Sequence, residues 1–174
     1  MELNKFISLL FMGCLVSLGI SAKEFPVVVK LHTIKAERTL NAKGDDLYFE
    51  VTQFPTEGEP GDSRIPLYPL HWLSNQLDEV KDLVLWTGVI KEGESTKLTL
   101  SLVDQEIPPW EPDDLIGGAQ LILKNAKGEL NKAWSVPPFA KAKEVELING
   151  TYPQRFVFKG DGSLYDVSFS VGHQ

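Results

Sequence analysis

Hydrophobic and polar positions alternate along most of this chain, and the alternation has a period of two. In "KLTLSLVD" (97–104), Leu98, Leu100 and Leu102 fall on one face and Thr99 and Ser101 on the other. That is the pattern of a strand with one side in a core and one in water. The same rhythm, carried by β-branched and aromatic residues between turn formers, predicts strands at "FPVVVKLHTI" (25–34), "LYFEVTQF" (47–54), "LVLWTGVI" (83–90) and "TKLTLSLV" (96–103). Further strands follow at "AQLILK" (119–124), "EVELI" (144–148), "QRFVFK" (154–159) and "LYDVSFSV" (164–171), with "KGDGS" predicting a tight hairpin between the last two. One segment breaks the rhythm. In "PLHWLSNQLDEVKD" (69–82), Leu70, Leu73, Leu77 and Val80 stand at helical spacing, which predicts one short helix in a connection. The stretch before it, "PTEGEPGDSRIP", is too rich in Pro and Gly for regular structure. About eight short strands and one helix read as an all-β chain folded into a single antiparallel β-sandwich.

The first residues obey a different pattern. "MELNKFISLLFMGCLVSLGISAKEF" has Lys5 near its start, an apolar run from Phe6 to Ile20, and small residues at Ser21 and Ala22. This is the layout of a secretory signal peptide and is too short for a membrane span. It predicts an exported protein cleaved after Ala22, with residues 1–22 outside the fold and residues 23–174 forming one domain of about 150 residues. Gly13-Cys14 has the small-residue-then-cysteine order of a lipoprotein signal. Phe11 and Met12 match such a signal poorly, however, and the apolar run continues past Cys14, so soluble export is preferred over anchoring through Cys14. Export could end in the periplasm or outside the cell.

Composition then narrows the chemistry. Cys14 is the sole cysteine, so the mature chain has neither disulfides nor a thiol nucleophile. With 24 Asp and Glu against 17 Lys and Arg, the formal charge of −7 gives no electrostatic footprint for nucleic acid. The three histidines, His32, His71 and His173, show no zinc-ligand spacing, and no serine sits in a Gly-x-Ser-x-Gly elbow. The adjacent carboxylates Asp113 and Asp114 cannot face each other across a cleft as a glycosidase pair must. These absences lead to the expectation that the protein is not an enzyme.

Carboxylates are densest in "DQEIPPWEPDDLIG" (104–117), which holds Asp104, Glu106, Glu111, Asp113 and Asp114 around Trp110. By itself this reads as a solvated acidic turn. Two further stretches change the reading: "KGDDLYFEV" (43–51), where Asp46-Leu47-Tyr48 leads into a strand, and "GSLYDVSFSV" (162–171), a glycine-led closing strand. Together, and in this order, the three stretches resemble C2 domains over almost the whole mature chain. The resemblance implies a C2-like sandwich whose end loops bind calcium and then contact lipid head groups. By position it assigns Asp46 from the first loop and Asp104, Glu106 and Asp114 from the second as cation ligands, with Asp45 and Asp113 as further candidates. Oxygen-rich loops of this kind suit calcium, which takes six to eight oxygen ligands. The chain departs from the family pattern at Leu40 and Asn41, where an early first-loop aspartate is expected, and at Pro108-Pro109-Trp110, which lengthen the second loop. The implied site is a single one rather than a multi-calcium cage.

Trp110 has two readings, packing back on the sandwich or sitting at a membrane interface as a contact residue. The function this implies is a secreted, non-enzymatic binding module, its calcium contacting a phospholipid membrane or a protein partner. The alternative keeps the fold and drops the metal: an exported interaction protein binding a protein or carbohydrate through an edge strand or the 55–82 insertion.

Overall fold

The computed structural model describes residues 23–106, 111–138, 145–160 and 162–173. The expected signal segment with Cys14, and the loop tip with Trp110, lie outside the described residues. The chain forms β1 (Phe25–Arg38), β2 (Asp46–Pro55), β3 (Gly61–Ile65), β4 (Trp72–Leu73), a 3₁₀ segment (Ser74–Glu79), β5 (Lys81–Ile90) and β6 (Ser95–Asp104). It continues with β7 (Asp114–Ala126), β8 (Glu129–Ser135), β9 (Val145–Ile148), β10 (Gln154–Phe158) and β11 (Leu164–His173). One sheet runs β5-β1-β11-β10-β9; the other runs β3-β2-β6-β7-β8, with β4 added to β2. The described ladders are antiparallel. The expected antiparallel sandwich is therefore the observed fold.

The core follows from the period-two pattern. Val27, Val29 and Leu31 of β1, Leu98, Leu100 and Leu102 of β6, and Val167 and Phe169 of β11 are all buried between the sheets. Phe169 meets Phe49 of the other sheet edge-on at 5.8 Å and stacks on Trp134 at 5.6 Å, so aromatic rings lock the two layers together. Each such ring removes about 2–3 kcal/mol worth of apolar surface from water. The sheets also close tightly at Gly117, where a Cβ would lie 2.6 Å from the Phe158 ring.

The helix expected over 69–82 is a correction. Only Ser74–Glu79 turns, as a 3₁₀ segment with a break at Gln76, and Trp72–Leu73 is a short strand. Of the four apolar residues at helical spacing, Leu77 and Val80 are buried while Leu70 and Leu73 face solvent. Pro69 keeps Tyr68 out of the helical region, and the residues after it are drawn into the β2 ladder, where Leu73 pairs with Asp46 and Trp72 with Leu47.

Candidate functional site at the acidic loop end

Strand register brings the acidic residues to one end of the sandwich. Leu47 of β2 pairs with Asp104 of β6, and Asp104 pairs with Asp114 of β7. Asp46, Asp104 and Asp114 therefore share this end although nearly sixty residues separate the first from the second. Asp46, Asp104 and Glu106 line one cleft of about 460 Å³ together with Asn41, Lys43 and Leu73.

Two of the candidate carboxylates, Asp45 and Asp113, are each held by backbone N–H and a tyrosine hydroxyl. Asp45, buried, accepts N–H groups from Leu40 (3.3 Å) and Asn41 (3.0 Å) and the hydroxyl of Tyr165 (2.5 Å). Its own N–H donates to Ser74 Oγ at 2.8 Å, which ties the β1–β2 loop to the 3₁₀ segment. Burial, and next the Asp45 carboxylate, raise the Tyr165 hydroxyl well above the ordinary phenol range. Asp113 accepts the Glu106 N–H at 3.0 Å and the Tyr48 hydroxyl at 2.8 Å, holding the second loop against β2. Asp114 is engaged as well. Asp45 and Asp113 thus serve as loop staples.

Asp104 differs from them. It is 2% exposed; its Oδ1 accepts the Asp46 N–H at 2.7 Å, but its Oδ2 is buried without a partner among the described residues. Burial pushes its carboxyl up to about 7, with the charges of Asp45, Glu106 and Asp46 adding to the rise and the Asp46 N–H opposing it. The Glu106 carboxyl is also raised, by partial burial and then by Glu111. Asp46 keeps an accessible carboxylate, its Oδ1 3.5 Å from His71 Nε2. His71 makes no hydrogen bond to a hydroxyl side chain among the described residues, and it opens on a neighbouring cleft of about 450 Å³ lined by Trp72, Gln76 and Glu79.

Beside the cleft, Arg64 organises the 55–82 insertion. Its guanidinium lies 3.6 Å over the Tyr48 ring and donates to Leu70 O and Gln105 Oε1, which fixes the 66–70 turn against the second acidic loop. That turn presents Leu67, Tyr68 and Leu70 at 74%, 67% and 63% exposure. Neither Arg64 nor Tyr165 stood out in the sequence. Tyr165 lies on the inward rhythm of β11 with a hydroxyl that burial obliges to find a partner, and that was the available signal.

As a cation site the constellation fits in part. Among the described residues no group of three or more His, Cys, Asp or Glu side chains lies close enough to hold a metal ion. The buried unpartnered oxygen of Asp104, beside accessible Asp46 and Glu106, is the feature that suits one.

No protein-family model matches the chain, and no curated protein sequence matches it. Among solved structures it is similar to human GIVD cytosolic phospholipase A2 in complex with methyl gamma-linolenyl fluorophosphonate. The identity is 11% and the TM-score 0.41, over 88% of this chain and 18% of that one. The chain thus spans less than a fifth of that protein, and a likeness of this degree carries no argument about function.

Proposed function

We propose that the protein is an exported, non-enzymatic binding module whose acidic loop end takes one calcium ion and through it meets a membrane surface or partner. The observation that carries this reading is the Asp104 carboxylate, buried in the cleft wall with Oδ2 unpartnered. Leaving a buried carboxylate half-satisfied is expensive, and a cation would relieve it. Asp104 and Asp46 would contact the ion, and because no three of the described acids cluster closely enough to hold it together, water or carbonyl oxygens would fill the rest of its shell; when bound, it would supply positive charge at an otherwise negative end. The C2-like order of the acidic loops along the chain supports the same reading. A site with so few carboxylates is expected to bind at about 10⁻⁴–10⁻³ M, within the range of extracellular modules.

Calorimetric titration with calcium chloride tests the metal, and co-sedimentation with vesicles of phosphatidylserine and phosphatidylcholine tests the membrane. Heat that disappears in Asp104→Asn supports the first; no heat and no shift in melting temperature at millimolar calcium overturns it. A second reading, a metal-independent interaction module, is favoured by the Leu67-Tyr68-Leu70 turn that Arg64 holds out to solvent. Under that reading, partner binding survives both chelator and Asp104→Asn.

A further inference from the structure

At the end of the sandwich away from the acidic loops lies a second recess of different chemistry. Register places it there: Asp104 pairs with Asp114 at one end of the β6–β7 ladder, Ser95 with Lys124 at the other, and Lys132 stands opposite Leu123. Lys132 and Trp134 of β8 are directly opposite the buried Leu123 and Leu121, so both lie on the inward face of this edge strand, Trp134 half-buried and Lys132 exposed. Across the gap, Trp134 meets Phe156 edge-on at 5.7 Å and Phe169 face-on at 5.6 Å. The turn between β9 and β10 adds Tyr152, 78% exposed, whose ring centre lies 5.9 Å from Lys132 Nζ. Lys132, Trp134, Tyr152 and Phe169, with Thr151 and Gln154, line a crevice of about 200 Å³.

Its functional groups are of a particular kind. The lining includes the aromatic rings of Trp134, Tyr152 and Phe169. Lys132 supplies hydrogen-bond donors and faces no carboxylate among the described residues. Gln154 directs Nε2 to Ile148 O at 2.7 Å, Arg155 O at 3.4 Å and Thr151 Oγ1 at 3.5 Å, which leaves Oε1 as an acceptor. A sugar ring matches this combination: its C–H face stacks on aromatic rings while its hydroxyls both donate and accept. A carboxylate would find the lysine but be repelled by Gln154 Oε1 and by a chain of net charge −7. Pockets for drug-sized ligands run about 300–1,000 Å³, so this recess suits a single ring. An inward lysine on an edge strand also discourages pairing with other molecules, but that role requires neither an exposed tyrosine nor a free amide acceptor.

We propose that this crevice is a carbohydrate-binding site, taking one neutral sugar ring against Tyr152 and Trp134 with hydroxyls on Lys132 and Gln154. The test is saturation-transfer NMR and tryptophan fluorescence on the purified protein with maltotriose, cellotriose and triacetylchitotriose, and sodium octanoate as a carboxylate control. At least one trisaccharide is expected to receive saturation on its ring C–H protons and to shift the emission. Tyr152→Ala should weaken that binding about tenfold, the factor an aromatic stack is worth, with the melting temperature unchanged. Lys132→Ala should weaken it as well. Silence with all three trisaccharides, a response unaltered by Tyr152→Ala, or binding of octanoate alone overturns the proposal.

Discussion

Two buried polar side chains close the opposite ends of the same sheet, and they do so differently. Asn125, at the far end of β7, is 0% exposed and donates Nδ2 to Lys23 O (2.7 Å) and Ile90 O (3.0 Å), pinning the entry to β1 and the exit from β5. Asp104, at the acidic end of β6, is equally buried and accepts one backbone N–H from Asp46. Each leaves one oxygen without a partner among the described residues. The amide does its work without charge. The carboxylate does similar work while its ionisation is opposed by burial and by three neighbouring acids. An ionisable carboxyl kept where a neutral amide would hold the backbone points to a role beyond holding it, and this is why the acidic end, rather than the Asn125 end, is the candidate cation site.

Reciprocal exchanges put that contrast to the sharpest test. Asn125→Asp replaces two donated hydrogen bonds by a carboxylate facing two carbonyl oxygens. It should cost about 3–5 kcal/mol in urea denaturation at neutral pH. A loss below about 1 kcal/mol would mean the two ends are interchangeable. Asp104→Asn should act in the opposite direction. The folded carboxyl of Asp104 is raised from 3.8 to about 7, so the native state holds a proton between about pH 4 and 7 that the unfolded chain has lost. Its contribution is complete below about pH 4 and is lost as pH climbs to 7, an effect of up to about 4 kcal/mol. The Asn variant should therefore match the parent near pH 4, exceed it by about 2–3 kcal/mol at pH 8, and show a flatter stability profile. An unchanged profile would remove Asp104 from the argument.

Smaller effects refine the same picture. Tyr165→Phe deprives the buried Asp45 of its shortest hydrogen bond and should cost about 1.5–3 kcal/mol, the range for bonds to charged groups. If it costs nothing, Asp45 is not a staple. Tyr152→Ala, at a side chain mostly in water, should change stability by less than about 0.5 kcal/mol by thermal unfolding. A larger loss would make Tyr152 structural and weaken its use as a binding probe.

The sequence showed the sheet where strands bury a face and concealed it where they do not. The expected strands at 25–34, 47–54, 83–90, 96–103, 119–124, 144–148, 154–159 and 164–171 coincide with β1, β2, β5, β6, β7, β9, β10 and β11. β3, "GDSRI", has no buried residue and exists because β2 offers it a ladder; β4 is two residues long. β8, "ELNKAWS", is an edge strand whose inward positions include Lys132, so its alternation is disguised. The site was legible in the same uneven way. Register made the meeting of Asp46 with Asp104 foreseeable once the strands were placed. The capture of Asp45 and Asp113 by backbone N–H groups was not, because loop geometry leaves no periodic trace. Asn125 did leave one: it continues the inward series Ala119, Leu121, Leu123, and a polar residue in an apolar series marks a buried hydrogen-bonding post.

The bond between Asp45 and Tyr165 joins the loop before the second strand to the last strand of the chain, 120 positions apart. A contact of such long range forms late, because the entropy of closing the intervening loop must be met before the contact can help. The Asp45–Tyr165 bond is therefore expected to form only once β11 has docked. A chain lacking its final strand would carry every one of the loop acids but lose the hydroxyl that ties Asp45 to the far sheet, so any affinity of this end is expected to appear together with the completed fold.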